Sequence, residues 1–202
     1  MLKKTLSGVT AGLLISIGGA VFLSAENKVV GAVAFTIGLL SICYYGLSLY
    51  TGKVGYLFEK HDKEALSVLF LGLLGNLIGS VCSGLLVQIC LPQAAEKAKT
   101  ICAAKLEKDL LPVFLLGAFC GILVYVAVNL YRDKKTVLGI LIGIPVFILC
   151  GFEHSIADMF YLAAAGQFTL RALVFVLIVL AGNSAGALVF DRLLAGSGAK
   201  KS

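Results

Sequence analysis

The chain has 202 residues, 59% of them hydrophobic and only 14% charged, with a formal net charge of +6 and a mean hydropathy of +1.00. A soluble domain carries about 25% charged residues, so this composition excludes an ordinary soluble protein and points to one built for a bilayer. A helical crossing of the hydrocarbon core takes about 20 apolar residues, which leaves room for six crossings and short loops and none for a soluble catalytic domain.

The first element, in "MLKKTLSGVTAGLLISIGGAVFLSA", has two lysines ahead of an apolar run and so imitates a signal peptide. A signal core is roughly 7 to 15 residues long; this run is about 20 and no cleavage site follows it, so it reads as the first helix, about 5–24. Five more spans are expected at about 29–58, 65–92, 110–131, 136–166 and 168–194. The second breaks its apolar run at "YTGK" (50–53) and the fifth at "GFEHS" (151–155). In the third, "LGNLIGS" (74–80) is echoed by "AGNSAGA" (181–187) in the sixth, and each sets an asparagine, Asn76 or Asn183, among small residues that permit close helix approach. The chain is therefore expected to be one transmembrane domain over 1–202, with repeats at about 1–92 and 110–194 joined by an extracytoplasmic loop, 93–109. Three spans per half make the repeats inverted: an all-α membrane protein in a 3+3 arrangement, broken in its second and fifth helices.

With the N-terminus inside, Lys28, Lys97, Lys99, Lys105, Lys108 and Arg171 fall on the outer side and the other eleven of the 17 basic residues fall inside. That distribution favours two cytoplasmic termini and gives the positive charge a topological explanation, so no nucleic-acid partner is implied. Four of the outer lysines cluster in "QAAEKAKTICAAKLEKD", either a solvated amphipathic helix or a cationic vestibule that concentrates anions. The six cysteines show no CxxC pair and read as small apolar packing residues, with no metal site and no cofactor implied.

Polar backbone at membrane depth is tolerated only where it is buried or lines a cavity, so both breaks should face inward. A half-helix starting there points unpaired N–H groups at the cavity and favours anions. His154, in the second break beside Glu153 and Asp158, is read as part of an ion or proton pathway; His61 reads as a solvated loop residue. Glu153 and Gly151 are assigned to the structure of the loop, Glu153 as an acceptor of its backbone N–H groups. Asp158, four residues on, is placed in the first turn of a half-helix that begins near Ser155, where it can serve as a cap.

"GFEHSIADMF" closely resembles the fifth-helix loop of the formate/nitrite transporter family, whose usual form has Asn at the position of Asp158. "LYTG" is similar to the Ω loop of that family's second helix, and the two "GN" segments to its third and sixth helices. The resemblance implies an aquaporin-like protomer, a homopentamer, and passage of small monovalent weak-acid anions such as formate, nitrite or hydrosulfide, together with a proton, past a central histidine in the inner membrane of a prokaryote. It also implies Phe35, Leu39 and Leu49 as the cytoplasmic side of a constriction, Phe147 as the periplasmic side, Thr51 as a hydroxyl facing His154, and Lys105 as the vestibule lysine. Three departures stand out: Gly121 where the family commonly places an Asn bonded to the histidine, Lys53 after the Thr-Gly of the Ω loop, and a short "AAGQFTL" loop. The first leaves Asp158 or a water to take the place of that Asn.

Other classes compete. An aquaporin-like channel for small uncharged solutes would show paired Asn-Pro-Ala breaks and a filter arginine, and neither half has them. An enzyme using Glu153, His154 and Asp158 would need a nucleophile or metal set. A purely structural membrane subunit would carry no flux.

Overall fold

The computed structural model describes residues 1–57, 59 and 62–198; Lys60, His61, Lys200 and Lys201, used above in placing charge, lie outside the described residues. Among the described residues all regular structure is helical. Helix α1 runs Leu2–Ser24, α2 Lys28–Ala34, α3 Thr36–Tyr45, α4 Tyr50–Lys53, followed by a 3-10 turn at Val54–Tyr56. Then come α5 (Lys63–Cys90), α6 (Pro92–Leu106), α7 (Leu110–Lys134), α8 (Leu138–Cys150), α9 (Ser155–Ala164) and α10 (Leu170–Gly196). Five helices are long and apolar enough to cross a membrane, α2 with α3 counting as one, and the pair α8 and α9, bent by 55°, makes a sixth.

Local chemistry sets the ends. Asn27 Oδ1 accepts the Val29 and Val30 N–H groups and starts α2, Asp62 and Thr169 cap α5 and α10 in the same way, and Pro92 opens α6 at a position where its missing N–H costs nothing. Helices α3 and α8 both end on a glycine in the left-handed region, Gly46 at φ 66° and Gly151 at φ 71°. In each case two backbone N–H groups turn back onto the last turn, Leu47 to Ile42 O and Phe152 to Phe147 O, which closes the helix inside the membrane without orphaned carbonyls.

The two halves are built on the same kind of pair. α1 packs along α5 and α7 along α10, and small residues set both distances. A Cβ at Gly75 would stand 2.7 Å from Val9 N, and one at Gly121 2.8 Å from the Asn183 carbonyl carbon, so the backbones touch at these crossings. The outward faces carry exposed apolar side chains such as Leu86, Ile89, Leu111 and Leu173, as lipid contact requires.

Two expectations change. The second crossing ends at Tyr45, and its break is Gly46–Leu49; "YTGK" is the helical turn that follows, because Gly46 terminates α3 first. The segment 93–109, expected as a linking loop, is mostly a helix, α6, and the apolar side of the amphipathic helix read there, Ala94, Ala95, Ala98 and Cys102, is buried against the bundle while the opposite face is exposed. All six cysteines are free; Cys102 and Cys120 are buried, and Cys82, Cys90 and Cys150 are exposed on helices.

Candidate functional site: two breaks meeting at a closed centre

Each break is held by one buried asparagine, with identical bonding. Asn76 Nδ2 donates to Gly8 O and Ser48 O, both at 2.9 Å, and its Oδ1 accepts the Tyr50 N–H at 2.9 Å. Asn183 Nδ2 donates to Gly117 O and Glu153 O, both at 2.8 Å, and its Oδ1 accepts the Ser155 N–H at 2.9 Å. In each clamp the residue between the two gripped peptides is turned towards the middle of the protein: Leu49 in one break, His154 in the other. Amides suit this task because each satisfies one N–H and two carbonyls that neither helix can pair.

His154 is 4% exposed and is fixed at both ring nitrogens. Its Nδ1 accepts the Ala157 N–H at 3.2 Å, so the side chain is itself the N-cap of α9. A nitrogen that accepts carries no proton; the neutral ring therefore holds its proton on Nε2, which donates to Thr51 Oγ1 at 2.9 Å. A second proton on the ring would displace the Ala157 N–H and remove the cap. Asp158 stands in the first turn of α9, and the capping expected of it is done by His154.

Three spaces that share wall residues lie about this point. A cavity of 290 Å³ opens beneath α6, lined by Lys105, Lys108, Glu153 and Asp158 and floored by Phe35, Phe147 and His154. A second, of 300 Å³, opens at the other end and is lined by Leu39, Leu49, Lys53 and Arg132. Between them lies a chamber of only 10 Å³ walled by Ile15, Phe35, Leu39, Leu49, Val124, Ile144, Phe147 and His154. A single water needs about 10–15 Å³ of such space, so the centre is closed and dry. Phe35 meets Phe147 edge to face at 6.2 Å between centroids, and Phe147 stacks on the His154 ring at 5.9 Å. Among the described residues His154 is the one polar side chain lining the chamber.

The α6 cavity has charges of both signs in its wall, Lys28, Lys105 and Lys108 against Glu153 and Asp158. Lys105 bonds Glu153 Oε2 and, at 2.9 Å, Asp158 Oδ1; Lys108 bonds Glu153 Oε1 at 2.8 Å. Burial pulls the Lys105 pKa down, but Asp158 and Glu153 outweigh it and hold the ammonium above the ordinary lysine range, so it stays cationic at any physiological pH. Arg171 donates to the carbonyls of Leu106 and Lys108 and fixes the end of α6 over the cavity. Lys97 and Lys99, in the same cluster of the sequence, turn away to Ala25 O and Glu96.

The structure thus brings Thr51, His154, Phe35, Phe147, Leu39 and Leu49 to one centre and Lys105, Glu153 and Asp158 to its α6 side. Phe35 lines the chamber with Leu39 and Leu49 and, with Phe147, also floors the α6 cavity. The Glu153 side chain accepts from lysines, and only its backbone carbonyl takes part in the clamp; the loop's N–H groups go to backbone carbonyls and Asn183 instead. Gly121 packs on Asn183 backbone, so no side chain there could reach the histidine; the α7 residue at the chamber is Val124, which is apolar. Lys28 and Val124 were not legible as site residues, since nothing local distinguishes a rim lysine or a core valine from its neighbours, whereas Lys108 belongs to the lysine cluster read as a possible vestibule.

The comparisons with known proteins agree with this geometry. The family model described as "Formate/nitrite transporter" matches residues 1–196. Among curated relatives, Formate channel FocB of Escherichia coli (strain K12) is 26% identical, with 79% of this chain and 65% of that protein covered. Formate channel FocA of Haemophilus influenzae is 24% identical over 77% of this chain and 63% of its own length. Uncharacterized transporter YrhG of Bacillus subtilis is 28% identical over 83% and 70%. The chain spans just under two thirds of the length of the formate channels it matches. A solved "Pentameric formate channel with formate bound" superposes with a TM-score of 0.79 at 24% identity, covering 98% of this chain and 96% of that one. An "FNT family ion channel" gives 0.78 at 24% identity, covering 98% and 88%. These structures share the fold, and the match of the family model across nearly the whole length makes this chain a member of the formate/nitrite transporter family.

Proposed function

We propose that the chain is a membrane channel for small monovalent anions of weak acids, formate and nitrite among them, and that the passenger crosses the centre as the neutral acid. The observation that carries this reading is the closed chamber: two wider cavities, each with a few charged side chains in a largely apolar wall, lie on either side of apolar space with no more room than one water needs, beside a single imidazole. Taking a bare carboxylate-sized ion into such a place costs on the order of 20 kcal/mol in the idealised limit and several after relaxation. Protonating a carboxylate of pKa about 3.5 at pH 7 costs roughly 5 kcal/mol, so the neutral acid is the cheaper passenger. Lys105 and the N-terminus of α9 draw the anion towards His154, the Nε2–H and Thr51 hydroxyl orient it, and Phe35, Phe147, Leu39 and Leu49 exclude water and larger molecules. The names of the relatives support this substrate class.

In this reading the protomer is one domain of two inverted halves, about 1–92 and 110–194, and five copies form a ring. The lysine distribution sets the α6 cavity on the extracytoplasmic side, with both termini cytoplasmic. The test is light scattering from proteoliposomes challenged with formate, nitrite, hydrosulfide and lactate gradients at pH 5.5 and 7.5. Swelling with the small weak acids, faster at the lower pH, is expected. Rapid water flux with no anion response would instead favour a channel for uncharged solutes.

A further inference from the structure

The charged cluster below α6 contains one atom its own contacts do not explain. Asp158 is 1% exposed and lines the α6 cavity, yet only its Oδ1 is bonded, to Lys105; its Oδ2 has no hydrogen-bond partner. Every charged group facing it is otherwise engaged. Lys105, from α6, bonds Glu153 as well as Asp158. Lys108 bonds the remaining Glu153 oxygen. His154, one turn back, has its ring nitrogens committed to Ala157 N and Thr51 Oγ1. The other titratable neighbours, Cys102 of α6, Cys120 of α7 and Tyr161 of α9, carry no charge at neutral pH. With both acids ionised the four side chains Lys105, Lys108, Glu153 and Asp158 sum to zero, and Lys28, in the wall of the same cavity, adds one further cation. An anion that takes Lys105 as its partner would leave the buried Asp158 carboxylate without its hydrogen-bonded cation, which a low dielectric disfavours.

We propose that Asp158 binds a proton on its free oxygen as an anion enters the α6 cavity, so that Lys105 passes from pairing Asp158 to pairing the anion and the cluster remains neutral. No bond other than the O–H forms; the proton comes from solution, Lys105 keeps its own, and the four side chains, with the anion once it has entered, sum to zero before and after. Asp158 is thus a proton-linked specificity residue of the vestibule. The anion class is set by Lys105: small, monovalent and able to accept a hydrogen bond. This rests on the reading of the chain as an anion channel, and the test separates the two.

Nitrate is the probe, because as the base of a strong acid it cannot take up the proton itself. Its inhibition of formate flux is measured in proteoliposomes from pH 5 to pH 8, with wild type, Asp158→Asn and Asp158→Glu. In wild type the inhibition constant should weaken with rising pH, approaching about ten-fold per unit, the slope for one linked proton. In Asp158→Asn, whose amide imitates the protonated acid, it should stay near the wild-type value at pH 5 across the range, while Asp158→Glu keeps the pH dependence. In parallel, nitrate added to weakly buffered detergent-solubilised wild type should raise the pH, and added to Asp158→Asn should not. Formate flux with flat nitrate inhibition in wild type overturns this inference and leaves the channel standing. The same pH slope in wild type and Asp158→Asn assigns the proton elsewhere and also overturns it. Absence of formate flux from wild type overturns the channel and the inference together.

Discussion

His154 shows how much one side chain is asked to do here. It caps α9 through Nδ1, donates to Thr51 through Nε2, and stacks on Phe147, so its tautomer and ring plane are fixed by three contacts at once. The Thr51 hydroxyl is the acceptor that lets a neutral imidazole lie buried without an orphaned N–H. Thr51→Val, nearly isosteric, should leave that donor unpaired at a cost of about 1–3 kcal/mol, seen as a lower melting temperature in detergent and slower formate flux. Thr51→Ser should retain wild-type flux, and equal flux in Thr51→Val and Thr51→Ser would show that the bond has no part in passage. The histidine and its threonine were legible because ionisable and polar residues at membrane depth are rare enough to stand out. The partner of Glu153 was not, because a carboxylate's choice between backbone N–H groups and a lysine 48 residues away depends on where α6 lands.

At the scale of elements, the breaks were visible as interruptions of apolar runs, but their exact position needed the glycine that ends each helix. Gly46 and Gly151 each stand four residues before the next helix starts, at Tyr50 and Ser155, so the first break lies upstream of the "YTGK" that drew attention to it, while the second falls within "GFEHS". The α6 segment was ambiguous for a related reason: alanines and a cysteine among lysines read as a weak amphipath until the bundle supplies a surface for the apolar side. Gly121 illustrates the limit of residue-by-residue comparison in a helix, where a side chain's direction depends on register and not on nearness in sequence. Its hydrogen faces Asn183 backbone, so Gly121→Ala should cost about 1–3 kcal/mol by overpacking and lower the melting temperature. Gly143→Ala, whose Cβ would stand 3.7 Å or more from its neighbours, should leave it within about 1 kcal/mol of wild type. Similar melting temperatures for the two variants would contradict the packing described for α7 and α10.

At the scale of the molecule, the α1–α5 and α7–α10 pairs each carry one asparagine clamp, and the clamps deliver one apolar and one ionisable residue to a shared centre. Under the proposed function, the asymmetry of that pair, Leu49 against His154, would supply the chemistry of passage, while the two clamps hold both residues in place in the same way. The faint echo of "LGNLIGS" in "AGNSAGA" carried this much in the sequence; the bonds that make it a clamp are long-range and appear only with the fold. Assembly belongs to the same scale: native mass spectrometry in detergent should find five copies of the 21.2 kDa chain in one particle, and a stable monomer would contradict the proposed ring. The central claim is that a small acid crosses a narrow apolar bottleneck guided by His154 and its partner Thr51. Formate uptake into proteoliposomes by wild type and His154→Phe, compared at pH 5.5 and 7.5, tests it most directly. The account predicts that His154→Phe loses proton-coupled uptake and its pH response; uptake by His154→Phe at the wild-type rate with an unchanged pH response would contradict it.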